Sequence, residues 1–199
     1  MIFIMGDQIL DNIYRRRSIR KYKPEQLQDH ELNQIIEAGR FAPSGGNNQT
    51  THFVVIQNTE ILNELKKLVI QEYSKMEVTE NMYMGLKGAI LQSRKGNYDF
   101  YFNAPTLIVL TNLRDYENAI ADCAVALENM MLAATSLQIG SCWINQLKRL
   151  ADNDAIKSYI KKLDIQDNEI ICGGLALGYS DQSDLKPLER KGNKVTMVR

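Results

Sequence analysis

The side chains best able to do chemistry lie near the start of the sequence. Tyr14-Arg15-Arg16-Arg17-Ser18-Ile19-Arg20-Lys21-Tyr22-Lys23 carries basic residues at positions 15, 16, 17, 20, 21 and 23. Cations packed this closely repel one another unless an anion or solvent separates them. Guanidinium forks and a serine hydroxyl suit phosphate, because arginine donates two parallel hydrogen bonds where lysine offers a point charge. In an extended chain Arg16, Ser18 and Arg20 share one side. The same composition also fits a solvated basic helix end, where cations complement the macrodipole, and the spacing alone does not choose between the two.

A second candidate is Ala42-Pro43-Ser44-Gly45-Gly46-Asn47-Asn48-Gln49. Paired glycines permit close backbone approach, and the amide side chains both donate and accept, which suits a polar heterocycle. A plain helix-to-strand connection would have the same composition. Other chemistries find less support. His30 and His52 are the only histidines and have no ligand spacing to each other or to a cysteine, which argues against zinc or haem. Neither Ser44 nor Ser141 lies in G-x-S-x-G, and no Rossmann or P-loop glycine motif occurs. Gly173, Gly174 and Gly178 read as close-packing positions in a strand.

Composition bounds the setting. The 199 residues are enough for one domain with a sizeable core, and we expect a single domain over 1–199. Lys+Arg and Asp+Glu number 24 each, so no global field draws the chain to nucleic acid or to an anionic membrane, and any anion site is local. Cys123, Cys142 and Cys172 form no C-x-x-C pair and read as reduced, intracellular thiols. The apolar start Met1 to Met5 is too short for a signal-peptide core or a membrane span. The expectation is a soluble, cytoplasmic protein.

The elements that must position these residues follow from periodicity. Helical spacing predicts helices over Asp7 to Arg16 and Asp29 to Phe41, with Ser18 to Lys23 an extended or irregular connection ahead of Pro24. His52 to Ile56, Thr106 to Leu110 and Ile170 to Leu177 read as strands. Thr59 is the predicted cap of a helix from Glu60 to about Lys75, and Asp115 that of a helix running to about Gln138. The latter is apolar almost all round, which suggests a subunit interface or a helix central to one subunit. Asp152 to Lys162 is a shorter helix. Gly140 to Ile144 reads as a turn, Tyr73 to Phe102 has no clear period, and Val195 to Val198 alternates in a way that could add an edge strand.

Taken together, Arg16-Arg17-Ser18-Ile19-Arg20, the Ala42 to Gln49 loop, Gly140-Ser141-Cys142-Trp143-Ile144 and Gly174-Leu175-Ala176-Leu177-Gly178-Tyr179 with Arg190-Lys191 resemble the FMN-dependent nitroreductase family, in the family's order. The resemblance runs from about Tyr14 to Lys191. It implies an α+β fold with a central mixed, mostly antiparallel sheet flanked by helices, and a C-terminal segment exchanged across a homodimer with FMN at the subunit interface. It implies that Arg16, Arg17, Ser18 and Arg20 hold the FMN phosphate and the polar edge of the flavin, with Arg190 and Lys191 completing the phosphate site. Pro43, Ser44, Gly45 and Asn47 match the loop that the other subunit lays against the flavin, and Trp143, Ile144 and Asn145 fall beside its reactive face. Two departures stand near this site: Thr50-Thr51 replaces the Pro-Trp of many relatives, and Asn145 replaces a frequent glycine.

The implied activity is NADH- or NADPH-dependent reduction of nitroaromatic, quinone or similar small-molecule electron acceptors by a ping-pong mechanism, with the flavin and not a protein nucleophile carrying the chemistry. Two alternatives stay open: a flavin-binding protein or flavin-dependent dehydrogenase of a specific metabolite, and a module that grips a polyanion with Arg15 to Lys23.

Overall fold

The structure is a computed structural model describing residues 5–182 and 185–199, so the apolar start at 1–4 lies outside the described residues. Its organising element is the apolar run that begins at Thr106. Strand β2 (Thr106–Leu113) is covered on both faces, Leu107 and Val109 facing one core and Ile108 and Leu110 the other. A strand buried on both sides reads as a continuous apolar run and not as an alternation. Around it stand β1 (His52–Ile56), β3 (Gly140–Ile144) and β4 (Glu169–Gly178), in the order β1-β2-β4-β3.

Helices α1 (Met5–Arg15), α2 (Asp29–Arg40), α3 (Thr59–Ser74), α4 (Met84–Arg94), α5 (Ala119–Ser136), α6 (Gln146–Arg149) and α7 (Asp154–Ile160) complete the chain. α2 and α5 pack with Leu127, Met130 and Leu175 on one face of the sheet; α3 and α7 close the other with Leu65, Val69, Tyr73 and Ile156. Gly173 lets α5 lie close to β4, since a β-carbon there would stand 2.8 Å from Leu127.

The α+β class holds, with several corrections. Every pairing between named strands is antiparallel. The single parallel pairing among the described residues is the isolated bridge Ser18–Ser141, because the chain then turns away to join Tyr22 to Ser180. Gly140 to Ile144 is an edge strand and not a turn; its pairing with β4 imposes an extended form on a segment too short to declare it. The cap of α3 is Asn58, whose side chain accepts from the backbone N–H groups of Glu60 and Ile61, so Thr59 is the first helical residue. α5 starts at Ala119, after Asn118 and not after Asp115. The tail from 185 to 199 forms no strand in its own chain, where Val195, Met197 and Val198 are exposed.

Candidate functional site

The basic segment is fixed by main-chain bonds to the edge of the sheet. Ile19 N–H donates to the Ser141 carbonyl at 2.9 Å, Lys23 N–H to the Tyr179 carbonyl at 2.9 Å, and Asp181 N–H to the Lys21 carbonyl at 3.0 Å. Tyr22 tightens the turn: its hydroxyl, kept protonated by burial, donates to the Ile19 carbonyl at 2.7 Å.

The arginines differ in what they touch. Arg15 pairs with Asp11 at 3.1 Å on its own helix. Arg17 donates to the carbonyls of Tyr14, Arg16 and Leu185, so its guanidinium fastens the segment to the C-terminal tail. Among the described residues Arg16 meets one carboxylate, Glu128 on α5, at 3.8 Å. Arg20 lies over the Phe102 ring, 5.7 Å from its centroid, and its backbone N–H donates to the Gln182 side chain at 3.1 Å. Phe102 and Asn103 both take positive φ, and Lys66 holds this bend through Asp99 at 3.0 Å and Asn103 at 2.8 Å. Cys142 lies beneath this cluster; burial pushes its thiol up and outweighs the opposing effect of Arg20, Ser18 and Arg16, so the thiol stays neutral.

β3 supplies the adjoining wall. A residue on an antiparallel strand turns its N–H and C=O to the same side, and sides alternate along the strand. The Ser141 carbonyl faces outward to Ile19, so the N–H and C=O of Trp143 face outward also, on an edge not covered by β4. The Trp143 indole N–H donates to the Asn145 side chain at 3.0 Å, which fixes the turn out of the strand. Ile144 points its side chain into the core, and its N–H and C=O face β4.

The glycine-rich loop sits elsewhere. It closes a cleft of about 520 Å³ lined by Phe41, Pro43, Ser44, Asn47, Phe53 and Asp122, among others. Gly46, Asn47 and Gln49 take positive φ, and the Ser44 hydroxyl accepts from the Gln49 N–H at 3.1 Å. This loop leads into β1 at one edge of the sheet, whereas Ser18 lies beyond β3 at the other. Four strand spacings separate them laterally, about 19 Å. One chain therefore brings together Arg16, Ser18, Arg20, Trp143 and Asn145, but not Pro43, Ser44, Gly45 and Asn47. Arg190 and Lys191 are exposed; Lys191 pairs with Glu189 at 2.8 Å, and neither reaches the basic segment among the described residues.

Residues 13–179 match the profile of the Nitroreductase family. The chain belongs to that family. The nitroreductase match ends before Arg190 and Lys191. A nitroreductase from Bacteroides fragilis, crystallised with bound FMN, shares 37% identity and a TM-score of 0.85 over 96% of this chain and 98% of its own. A second nitroreductase crystallised with FMN, from Desulfitobacterium hafniense, shares 25% identity and a TM-score of 0.81 over the same 96% and 98%. A curated relative from Vibrio harveyi, an NADPH-flavin oxidoreductase, is 24% identical over 89% of this chain and 68% of its own length.

Sequence reasoning about this nitroreductase-family site missed Phe102, Gln182 and Glu128, which touch the basic segment from distant positions and follow no motif. It also missed Tyr116 and Asp122. The Gly45 N–H donates to the two Asp122 carboxylate oxygens at 3.2 and 3.3 Å, and the Tyr116 hydroxyl lies 2.9 Å from Asp122 and 3.1 Å from the Gly45 carbonyl. One indication was present: Asp122 is the single charge in the apolar stretch Ala119 to Leu127, and a buried carboxylate requires partners.

Proposed function

We propose that this chain is a single FMN-binding domain that works as a cytoplasmic homodimer, reducing nitroaromatic, quinone or similar electrophilic acceptors with NADH or NADPH. The observation that carries the reading is the gathering of Arg16, Ser18 and Arg20 on the outer edge of β3. The residues fit the cofactor. The Arg16 guanidinium and the Ser18 hydroxyl offer a phosphate charge-assisted bonds, Arg20 offers a cation to the polar edge of the flavin, and the carboxylate nearest to Arg16 is too distant to satisfy it. The outward Trp143 amide beside them is a donor suited to the polar rim of a heterocycle.

FMN held by these residues would supply the hydride-transfer chemistry between nicotinamide and acceptor. The chain's task is placement and charge. Arg16 and Ser18 hold the phosphate, with Arg190 and Lys191 as the additional basic pair. Arg20, braced on Phe102, offsets negative charge at the pyrimidine end. Trp143 presents its outward N–H and C=O to the flavin, and Ile144 and Asn145 carry the chain past it. Arg17 supports the segment by holding Leu185.

The lateral separation of the loop from the basic segment supports a site completed by Pro43, Ser44, Gly45 and Asn47 of a second copy. Exposed apolar residues supply a face for that copy: Ile9, Leu10, Ile13 and Tyr14 on α1, Phe41, and Ile120 and Val125 on α5. The tail at 185–199, apolar at Leu188, Val195, Met197 and Val198 and exposed in its own chain, is the segment exchanged with the partner. No helix among the described residues is long and apolar enough to cross a membrane. Polyanion binding is less favoured, since Arg15 and Arg17 are spent on Asp11 and on main-chain carbonyls.

The test is anaerobic. Protein loaded with FMN and mixed with NADH or NADPH bleaches in the visible, and the colour returns on adding a nitroaromatic or a quinone. Retention of colour with both nicotinamides contradicts the proposed reaction.

A further inference from the structure

We infer that Asp122 and Tyr116 are positioning residues that hold the Pro43 to Gln49 loop in the shape one subunit presents to the flavin of its partner. The inference rests on the FMN reading above and names two residues outside every motif. Asp122 is 6% exposed, in the apolar stretch of α5. A buried carboxylate is costly unless bonded, and among the described residues it forms no ion pair: its partners are the Gly45 N–H and the Tyr116 hydroxyl. It is therefore held for the direction of its hydrogen bonds. The Tyr116 hydroxyl has one proton for two acceptors, the Asp122 carboxylate at 2.9 Å and the Gly45 carbonyl at 3.1 Å, so it braces the clamp from the turn before α5 through one of them at a time.

The grip leaves little room for a side chain on Gly45. A β-carbon on Gly45 would stand 2.5 Å from the Tyr116 hydroxyl and 2.4 Å from the Asn118 amide. Downstream, Asn47 and Gln49 adopt left-handed backbone, which asparagine takes readily and glutamine rarely. The Ser44 hydroxyl and carbonyl accept from the Gln49 and Asn47 N–H groups, and the clamp fixes the residue after Ser44, from which this turn is built. Asp122 also lines the cleft together with Ser44 and Asn47, so the anchor and the presented side chains share one cavity wall. A plain connection from α2 to β1 needs neither a left-handed glutamine nor a buried carboxylate.

The experiment titrates FMN into wild type, Tyr116→Phe, Asp122→Ala and Asp122→Asn, following flavin fluorescence, the visible circular dichroism of bound flavin and the dimer fraction. We expect Tyr116→Phe and Asp122→Ala to remain dimeric, to lose at least about tenfold in FMN affinity and to change the flavin dichroism. Asp122→Asn keeps an oxygen acceptor toward Gly45 and should restore affinity to within about threefold of wild type. Should Asp122→Ala fail to fold, Tyr116→Phe decides. Folded, dimeric variants with wild-type affinity and dichroism overturn the clamp while leaving the FMN reading intact. A wild-type protein that binds no FMN overturns both.

Discussion

Arg16 and Arg17 are neighbours of the same type, yet the fold uses them differently. Arg17 is tied to three main-chain carbonyls, while among the described residues Arg16 makes no side-chain hydrogen bond and meets Glu128 at 3.8 Å. The crowding of cations at 15–23 was legible in the sequence; which guanidinium is free was not, because the Leu185 carbonyl that engages Arg17 lies 168 positions away. Glu169 shows the same limit. Burial favours its neutral form, but the Gln166 N–H at 2.7 Å, the Thr111 hydroxyl at 2.6 Å and the His52 ring at 3.0 Å prevail and hold its carboxyl below its ordinary value of 4.5. A carboxylate depressed in the folded state contributes stability that is complete above the unfolded value and is lost as the pH falls through the folded one. Glu169→Gln should therefore be less stable than wild type at pH 7. The gap should close below 4.5, as urea melts across that range would show. A gap that does not vary with pH would contradict the assignment.

At the scale of elements, strong periodicity and long apolar runs were readable: α2, α3, β1, β2 and β4 stand near their expected bounds. Short or glycine-containing pieces were not. α4 carries Gly85 and Gly88, which blur its helical pattern, and it is held by burying Ala89, Ile90 and Ser93 beside α3. β3 is five residues long and owes its extended form to its register with β4. Cap chemistry was recognised one residue late, since Asn58 and Thr59 are both suitable caps and the backbone decides between them. Asn58→Ala should cost about 1 kcal/mol in urea unfolding and Thr59→Ala only a few tenths. The reverse order would return the cap to Thr59.

For the molecule as a whole, the family was legible because four motifs occur in one order, whereas the separation of those motifs across the sheet required the strand order β1-β2-β4-β3. That order makes the second subunit a chemical requirement of the proposed site. The protein should sediment at about twice its chain mass of 22.7 kDa. Ile13→Glu, on the exposed side of α1, should shift it toward monomer and weaken FMN retention with it. A monomeric variant that retains FMN at wild-type affinity would refute the shared site. The central claim, that Arg16 and Ser18 hold the FMN phosphate and Arg20 the polar edge of the flavin, is tested most directly by titrating FMN into flavin-free wild-type, Arg16→Ala and Arg20→Ala protein and following the quenching of its fluorescence. Removing one charge-assisted partner should weaken affinity by about 10- to 100-fold in each variant. Wild-type protein that takes up no FMN, or unchanged affinity in both variants, would contradict the account.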